Sequence, residues 1–274
     1  MNNEVAQKIH QGLLEMLVMF HDFCRDNNLE YYIIGGTALG AARHKGFIPW
    51  DDDADIGMRR EYYEKFKRII DKLPAPLEVR YRGNDKKCPS PYIKLINSNT
   101  TLIEKFYTNY VEGLYIDILP LDYTFANADD RFREFKPIKF LYDVYRLHYS
   151  TRTRKGLKEV RHLFAKHLSS EFLYKQMEKR AQIYGQKNGN VGYLIDYYGS
   201  YGIKESYPVE VLGKPTLYQF ENTMLYGPED LDTYLKMTYD DYMKLPPEDQ
   251  RTFRHSYHVL DFDTPYRRYI KDHT

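Results

Sequence analysis

The stretch from Tyr31 to Met58 constrains the fold more than any other part of the chain. Tyr31-Tyr32-Ile33-Ile34 is a short β-prone run that stops at Gly35-Gly36, and Thr37 then opens the Ala-rich stretch Ala38 to Arg43. That order predicts a strand, a tight turn and a helix. Gly46-Phe47-Ile48-Pro49 reads as a loop by its Gly and Pro. After it comes Trp50-Asp51-Asp52-Asp53-Ala54-Asp55-Ile56-Gly57-Met58, whose second half alternates like a strand. Glycines between an apolar strand and a helix let backbone amides approach phosphate, and the helix N-terminus adds positive potential. Side chains at i and i+2 of a strand share a face, so Asp53 and Asp55 are expected side by side. Neighbouring carboxylates raise each other's pKa unless a cation lies between them. Hard oxygen donors with no His or Cys among them favour Mg2+ or Mn2+ over zinc.

An acidic run seen alone reads as a solvated loop. Two features argue against that here: the glycine pair upstream, and Asp117 downstream between Tyr115-Ile116 and Ile118-Leu119. A charge in so apolar a run is costly unless it turns towards a partner or a metal. The competing reading is an edge-strand aspartate facing water.

Elsewhere the pattern is mixed α/β. Val5, Ile9, Leu13, Met16, Leu17, Phe20 and Phe23 recur at helical spacing, which predicts an amphipathic helix over 5–24. Arg60 to Leu73 is also helical by period, and short strands are expected at 77–82, 92–96, 101–104 and 114–119, the last closed by Pro120. From Asp129 to about Lys187 the chain turns to long, basic helical segments bearing Tyr and Phe, and a further helix is expected from Pro228 to Tyr239. The expected organisation is a catalytic core with its N-terminal helix over 1–125, a helical, aromatic-rich insertion over 126–200, and a C-terminal segment over 201–274 that completes the substrate site.

Lys and Arg total 40 against 39 Asp and Glu, a net charge of +1, so no global field favours a nucleic-acid partner. Cys24 and Cys88 are too few for a disulfide framework, which suits a reducing cytoplasm. No basic leader and no run long enough to span a bilayer is read, so the expected setting is cytoplasmic, with a peripheral place at the inner face of the membrane compatible. The least ordinary number is 28 tyrosines, which suits cation-facing and sugar-facing pockets as well as thick cores.

The string from Gly35 to Met58 resembles the signature of the LicD family, transferases of phosphocholine and sugar phosphates on the nucleotidyltransferase superfold, related to fukutin-type transferases. Fainter echoes follow in Tyr92-Ile93-Lys94-Leu95, Ile116-Asp117-Ile118-Leu119-Pro120 and Asp241 to Glu248. Residues 129–198 match least clearly, and Ala54 stands where the family usually has a β-branched residue. The resemblance implies a nucleotidyltransferase-type mixed sheet with flanking helices. It implies one or two Mg2+ (or Mn2+) ions held by Asp53 and Asp55 against the diphosphate of CDP-choline, with CMP leaving as phosphocholine moves to a glycan hydroxyl of a teichoic acid or polysaccharide precursor, lipid-linked precursors included. Asp117 then completes the metal site or accepts the acceptor's proton.

Arg43, His44, Lys45 and Lys94 are candidate phosphate contacts, and Lys94 is unusual as a lone lysine in a strand-like run. Arg251, Arg254, His255 and His258 form a cationic cluster suited to phosphate or acceptor. Trp50 is either a stacking surface or core. Tyr234, Tyr239 and Tyr242 near Asp241 are the first candidates for a quaternary ammonium. Other CDP-alcohols such as CDP-glycerol or CDP-ribitol fit the same chemistry. A nucleotidylyltransferase releasing pyrophosphate and a non-catalytic choline or glycan binder are the competing classes.

Overall fold

The computed structural model describes residues 3–107, 110–151, 156–189 and 191–273. It shows a mixed α/β protein. Helix α1 (Asn3–Asp26) buries Ile9, Leu13, Met16, Leu17, Phe20 and Phe23, the stripe its helical spacing predicts. Each such side chain is worth about 1.5–3 kcal/mol relative to exposure. Next come strand β1 (Tyr32–Ile33), helix α2 (Gly35–His44), strand β2 (Asp55–Arg59) and helix α3 (Arg60–Lys67). Gly35 and Gly36 are the first two residues of α2, so the expected turn is absorbed into the helix start.

Strands β3 (Leu77–Arg80), β4 (Ile93–Asn97), β5 (Thr101–Glu104) and β6 (Tyr115–Thr124) follow. The main sheet runs β1-β2-β6-β4-β3, with β2 and β6 parallel and the other pairs antiparallel. β6 runs through Pro120, where an end was expected. Its Asp117 N–H donates to Ala54 O on the β2 side, so by alternation residue 120 turns its nitrogen to the opposite side. There β4 reaches only to Ile118, and the next neighbour begins at Asp122, so no hydrogen bond is forfeited by the proline.

Helices α4 (Ala128–Tyr149), α5 (Leu157–His167), α6 (Ser170–Ala181) and α7 (Ile183–Asn188) then form, and the chain returns to the sheet as β7 (Tyr193–Ile195), which pairs with the end of β6. β8 (Ser206–Pro208) pairs with β7. The helical segment is riveted to the core by a buried ion cluster. Arg60 of α3 meets Asp122 of β6 at 2.7 and 2.8 Å and Glu178 of α6 at 3.0 Å.

Helix α8 (Val209–Leu212), the hairpin β9 (Thr216–Phe220) and β10 (Thr223–Gly227), and helix α9 (Leu231–Tyr239) lead to strand β11 (Tyr257–Asp261) and helix α10 (Tyr266–His273). β11 pairs with β5, far back in the chain. No helix of the described residues is long and apolar enough to cross a membrane.

Candidate active site

The acidic run is extended before the ladder of β2 begins, and it alternates. Asp51, Asp53 and Asp55 line a cavity of about 770 Å3, while Asp52 and Ala54 are buried away from it. Asp53 therefore precedes β2 yet shares a face with Asp55, the strand's first residue. The parallel register sets Asp55 directly beside Asp117, and the antiparallel register sets Asp117 beside Lys94. Asp55, Asp117 and Lys94 thus form a row across three strands, all facing the cavity. β6 is the spine of the sheet, which excludes the edge-strand reading of Asp117.

The start of α2 closes on this row. Ile34 N–H donates to Asp55 O at 3.1 Å, and Asp55 N–H donates to the Thr37 hydroxyl at 2.8 Å. Thr37 thus holds the acid strand in place. Gly35 has φ +56°, a conformation strained for any residue with a β-carbon, and its N–H donates to Tyr234 Oη at 2.9 Å. A β-carbon on Gly36 would stand 2.5 Å from Asp51 Oδ2, so glycine there admits a carboxylate to the helix N-terminus.

Burial pushes the Asp55 carboxyl well up, and Asp53 and Asp117 add repulsion. Asp51 is raised by burial and by Asp53. Burial carries Asp117 to about 6, with Lys94 opposing and Asp53 adding to the rise. Among the described residues none of these three carboxylates has an ion pair, and Asp117 Oδ1 is buried with no hydrogen-bond partner. The oxygens of Asp51, Asp52 and Asp53 also lie within 4.8 Å of one another. The carboxylates on the cavity, Asp51, Asp53, Asp55 and Asp117, are hard oxygen donors of the kind a divalent cation takes.

Asp52 has a different task. His255 donates its backbone N–H to Asp52 Oδ2 at 3.2 Å and places Nδ1 3.0 Å from Oδ1, and the Tyr257 hydroxyl reaches Oδ2 at 3.3 Å. This clamp brings the C-terminal segment to the cavity, with His255 Nδ1 3.8 Å from Asp53. Burial opposes the charge on His255, but Asp52 and Asp53 outweigh it and push its pKa up to about 9.

Lys94 was expected against phosphate. Its ammonium is instead buried 2.9 Å from Glu112 and 3.1 Å from Glu104, over the Tyr115 ring, on a strand interior to the sheet. It is committed to protein carboxylates. Arg43 lines the cavity and donates to Tyr242 O at 3.0 Å. His44 and Arg251 stand outside the cavity wall, packed against the ring of Trp50, which does line it.

Of the tyrosines proposed for a cationic head group, Tyr239 and Tyr242 line the cavity. Tyr234 is 2% exposed, packs on Tyr207 and is occupied by Gly35, which places it in the core.

Several wall residues lie outside the sequence expectations. Tyr92, Tyr142 and Tyr198 form one aromatic wall, with ring centroids 5.6 Å (Tyr92 to Tyr198) and 5.1 Å (Tyr142 to Tyr198) apart. Lys139 and Arg146 come from α4, and they stand on the cavity with Arg254, a member of the expected cationic cluster. Asp196 and Glu205 line the wall with no ion pair among the described residues; burial raises both carboxyls, with Asp122 and Asp117 adding at Asp196 and Asp196 adding at Glu205. Asp196 follows Leu194-Ile195 as Asp117 follows Tyr115-Ile116, so the signal that marked one acid also marks the other.

Residues 28–130 match the family described as LicD/FKTN/FKRP, nucleotidyltransferase domain. The chain is 25% identical over 260 residues to the lipopolysaccharide cholinephosphotransferase LicD of Haemophilus influenzae, covering 88% of this chain and 92% of that one. Two uncharacterized proteins match shorter stretches. One, from Rickettsia typhi, is 38% identical over 83 residues, 30% of this chain and 26% of its own. The other, from Rickettsia prowazekii, is 31% identical over 113 residues, 37% of this chain and 42% of its own. The matched domain is the part of the chain that carries Gly35, Asp53, Asp55 and Asp117, and the likeness to the Haemophilus influenzae protein extends over most of the rest.

Proposed function

We propose that the protein is a metal-dependent transferase that moves phosphocholine from CDP-choline to a hydroxyl of a lipopolysaccharide-type or other cell-surface glycan, releasing CMP. The observation that carries the metal-dependent class is the group of half-buried acids without an ion pair among the described residues, Asp51, Asp55 and Asp117, beside a helix N-terminus in a cavity of about 770 Å3. The phosphocholine part rests on the relative in Haemophilus influenzae.

Asp53 and Asp55 would hold Mg2+ or Mn2+, with Asp117 completing the set or taking the acceptor's proton. A bound divalent ion supplies neutralisation of the diphosphate charge. The protein's own contribution is to fix the acids through Thr37 and the strand register, and to set Arg43 and Arg254 on the wall for the nucleotide's anionic parts. For the trimethylammonium, Tyr198 with Tyr92, Tyr142 and the unpaired Asp196 supplies aromatic faces and a negative charge, each face worth about 0.5–2 kcal/mol.

The test is CMP release from CDP-choline with Mg2+ and a glycan acceptor. Asp55→Asn and Asp117→Asn are each expected to lose at least about a hundredfold in turnover. Their thermal midpoints should hold or rise, because a repelling, desolvated charge is removed. Near-normal turnover in either variant, or activity that survives EDTA, overturns the metal assignment. Tyr198→Ala should raise KM for CDP-choline more than for CDP-glycerol; equal effects would reject this head-group site. Pyrophosphate as the product in place of CMP would identify a nucleotidylyltransferase.

A further inference from the structure

Helix α5 wears its amphipathicity inside out. Val160, Leu163 and Phe164 lie at i, i+3 and i+4 on one face and are 63%, 52% and 62% exposed, while Ala165 on the opposite face is buried. That inner face is held to α4, where His148 Nδ1 meets Ala165 O at 3.1 Å. The neighbouring helices expose further large apolar groups, Phe140 on α4 and Phe172 on α6. Three large apolar side chains set outward on one short helix, each more than half exposed, are out of place on a surface that meets only water.

The same stretch concentrates positive charge. Residues 128–188 hold 15 Lys and Arg against 7 Asp and Glu, in a chain whose whole balance is +1. Within 152–167 there are six Lys and Arg (Arg152, Arg154, Lys155, Lys158, Arg161, Lys166) and one acid, Glu159. An apolar stripe in a tract of strongly basic sequence matches the interfacial region of a bilayer that carries anionic headgroups, where apolar side chains enter the acyl boundary and positive charge favours binding. At 11 residues, roughly 16 Å, α5 is too short to span.

We infer that α5 is a membrane-surface helix that docks the protein on a bilayer containing anionic phospholipid. The docked helix packs on α4, which also supplies Lys139, Tyr142 and Arg146 to the cavity wall, so the reaction chamber sits one helix away from the lipid surface. The inference does not rest on the identity of donor or acceptor.

It is tested by flotation of the full chain with phosphatidylcholine vesicles, with and without phosphatidylglycerol. The unmodified protein is expected to float with the phosphatidylglycerol vesicles, to float poorly with pure phosphatidylcholine, and to bind less as salt rises. Replacing Val160, Leu163 and Phe164 together by Glu should lower partitioning about tenfold or more, with the thermal midpoint unchanged. If the triple variant misfolds, Phe164→Ser alone should still weaken binding by about threefold. Three results would each overturn the inference: no flotation of the unmodified protein, undiminished binding by the folded variants, or a dimer dispersed by the triple substitution without vesicle binding, which would make the face a contact between copies.

Discussion

Gly36 leaves space for a carboxylate and for nothing more. In Gly36→Ala the atom in the way is the end of the Asp51 side chain, not backbone, so that side chain swings aside at small cost. Stability should change by less than about 1 kcal/mol while turnover falls at least about tenfold, read as kcat and thermal midpoint on one preparation. Arg60 behaves in the opposite way. Arg60→Ala leaves buried Asp122 and half-buried Glu178 without their cation and should cost about 3–5 kcal/mol in a denaturation curve. At this scale the sequence was legible wherever a residue's role depends on near neighbours. Asp53 and Asp55 share a face because they are two residues apart. Lys94 was unusual in sequence, but its meaning depended on Glu104 and Glu112, and no local pattern ties those three together.

Elements held by their own periodicity were readable, and elements held by partners were not. Helix α1 lies within two residues of its expected bounds at either end because its stripe is long and unbroken. β7 and β8 are three residues each and exist because β6 extends past Pro120 to meet them, so they leave no period to find. Helix α10 is docked in the same manner. Arg267 Nη2 donates to Glu78 Oε2 at 2.7 Å, and the Tyr266 hydroxyl donates to the same oxygen at 3.0 Å. Burial opposes ionisation of Glu78, but these donors outweigh it and hold its pKa below the usual value. A depressed folded pKa gives stability that is complete above the unfolded value and is lost as pH falls through the folded one. Protection from hydrogen exchange in residues 266–273, relative to the intrinsic rate at each pH, should therefore fall on acidification below the ordinary glutamate range, and Glu78→Gln should show that lower protection already at neutral pH. Unchanged protection in both would mean that packing alone docks α10.

The cavity belongs to the whole molecule. Its walls come from the start of α2, the acidic run, β4, β6, α4, the 196–205 loop and the segment that ends at His255. A ligand spanning these parts is expected to tie them together. CDP-choline with Mg2+ at about a hundred times its Kd should add about 2.7 kcal/mol of stability, seen as a rise in thermal midpoint. That rise should vanish in Asp55→Asn. The family string and the mixed sheet were legible in the sequence because they lie in one contiguous stretch. The far wall was not, because Tyr142 and Tyr198 meet the acids only through tertiary packing.

The pairing of β11 with β5 joins Asp261 to Thr101 across 160 residues, and the same segment sets His255 on Asp52. Both ends of that span must be in place before the acids gain this cover, so losing residues 255–261 would remove the clamp on Asp52 and the partner of β5 together.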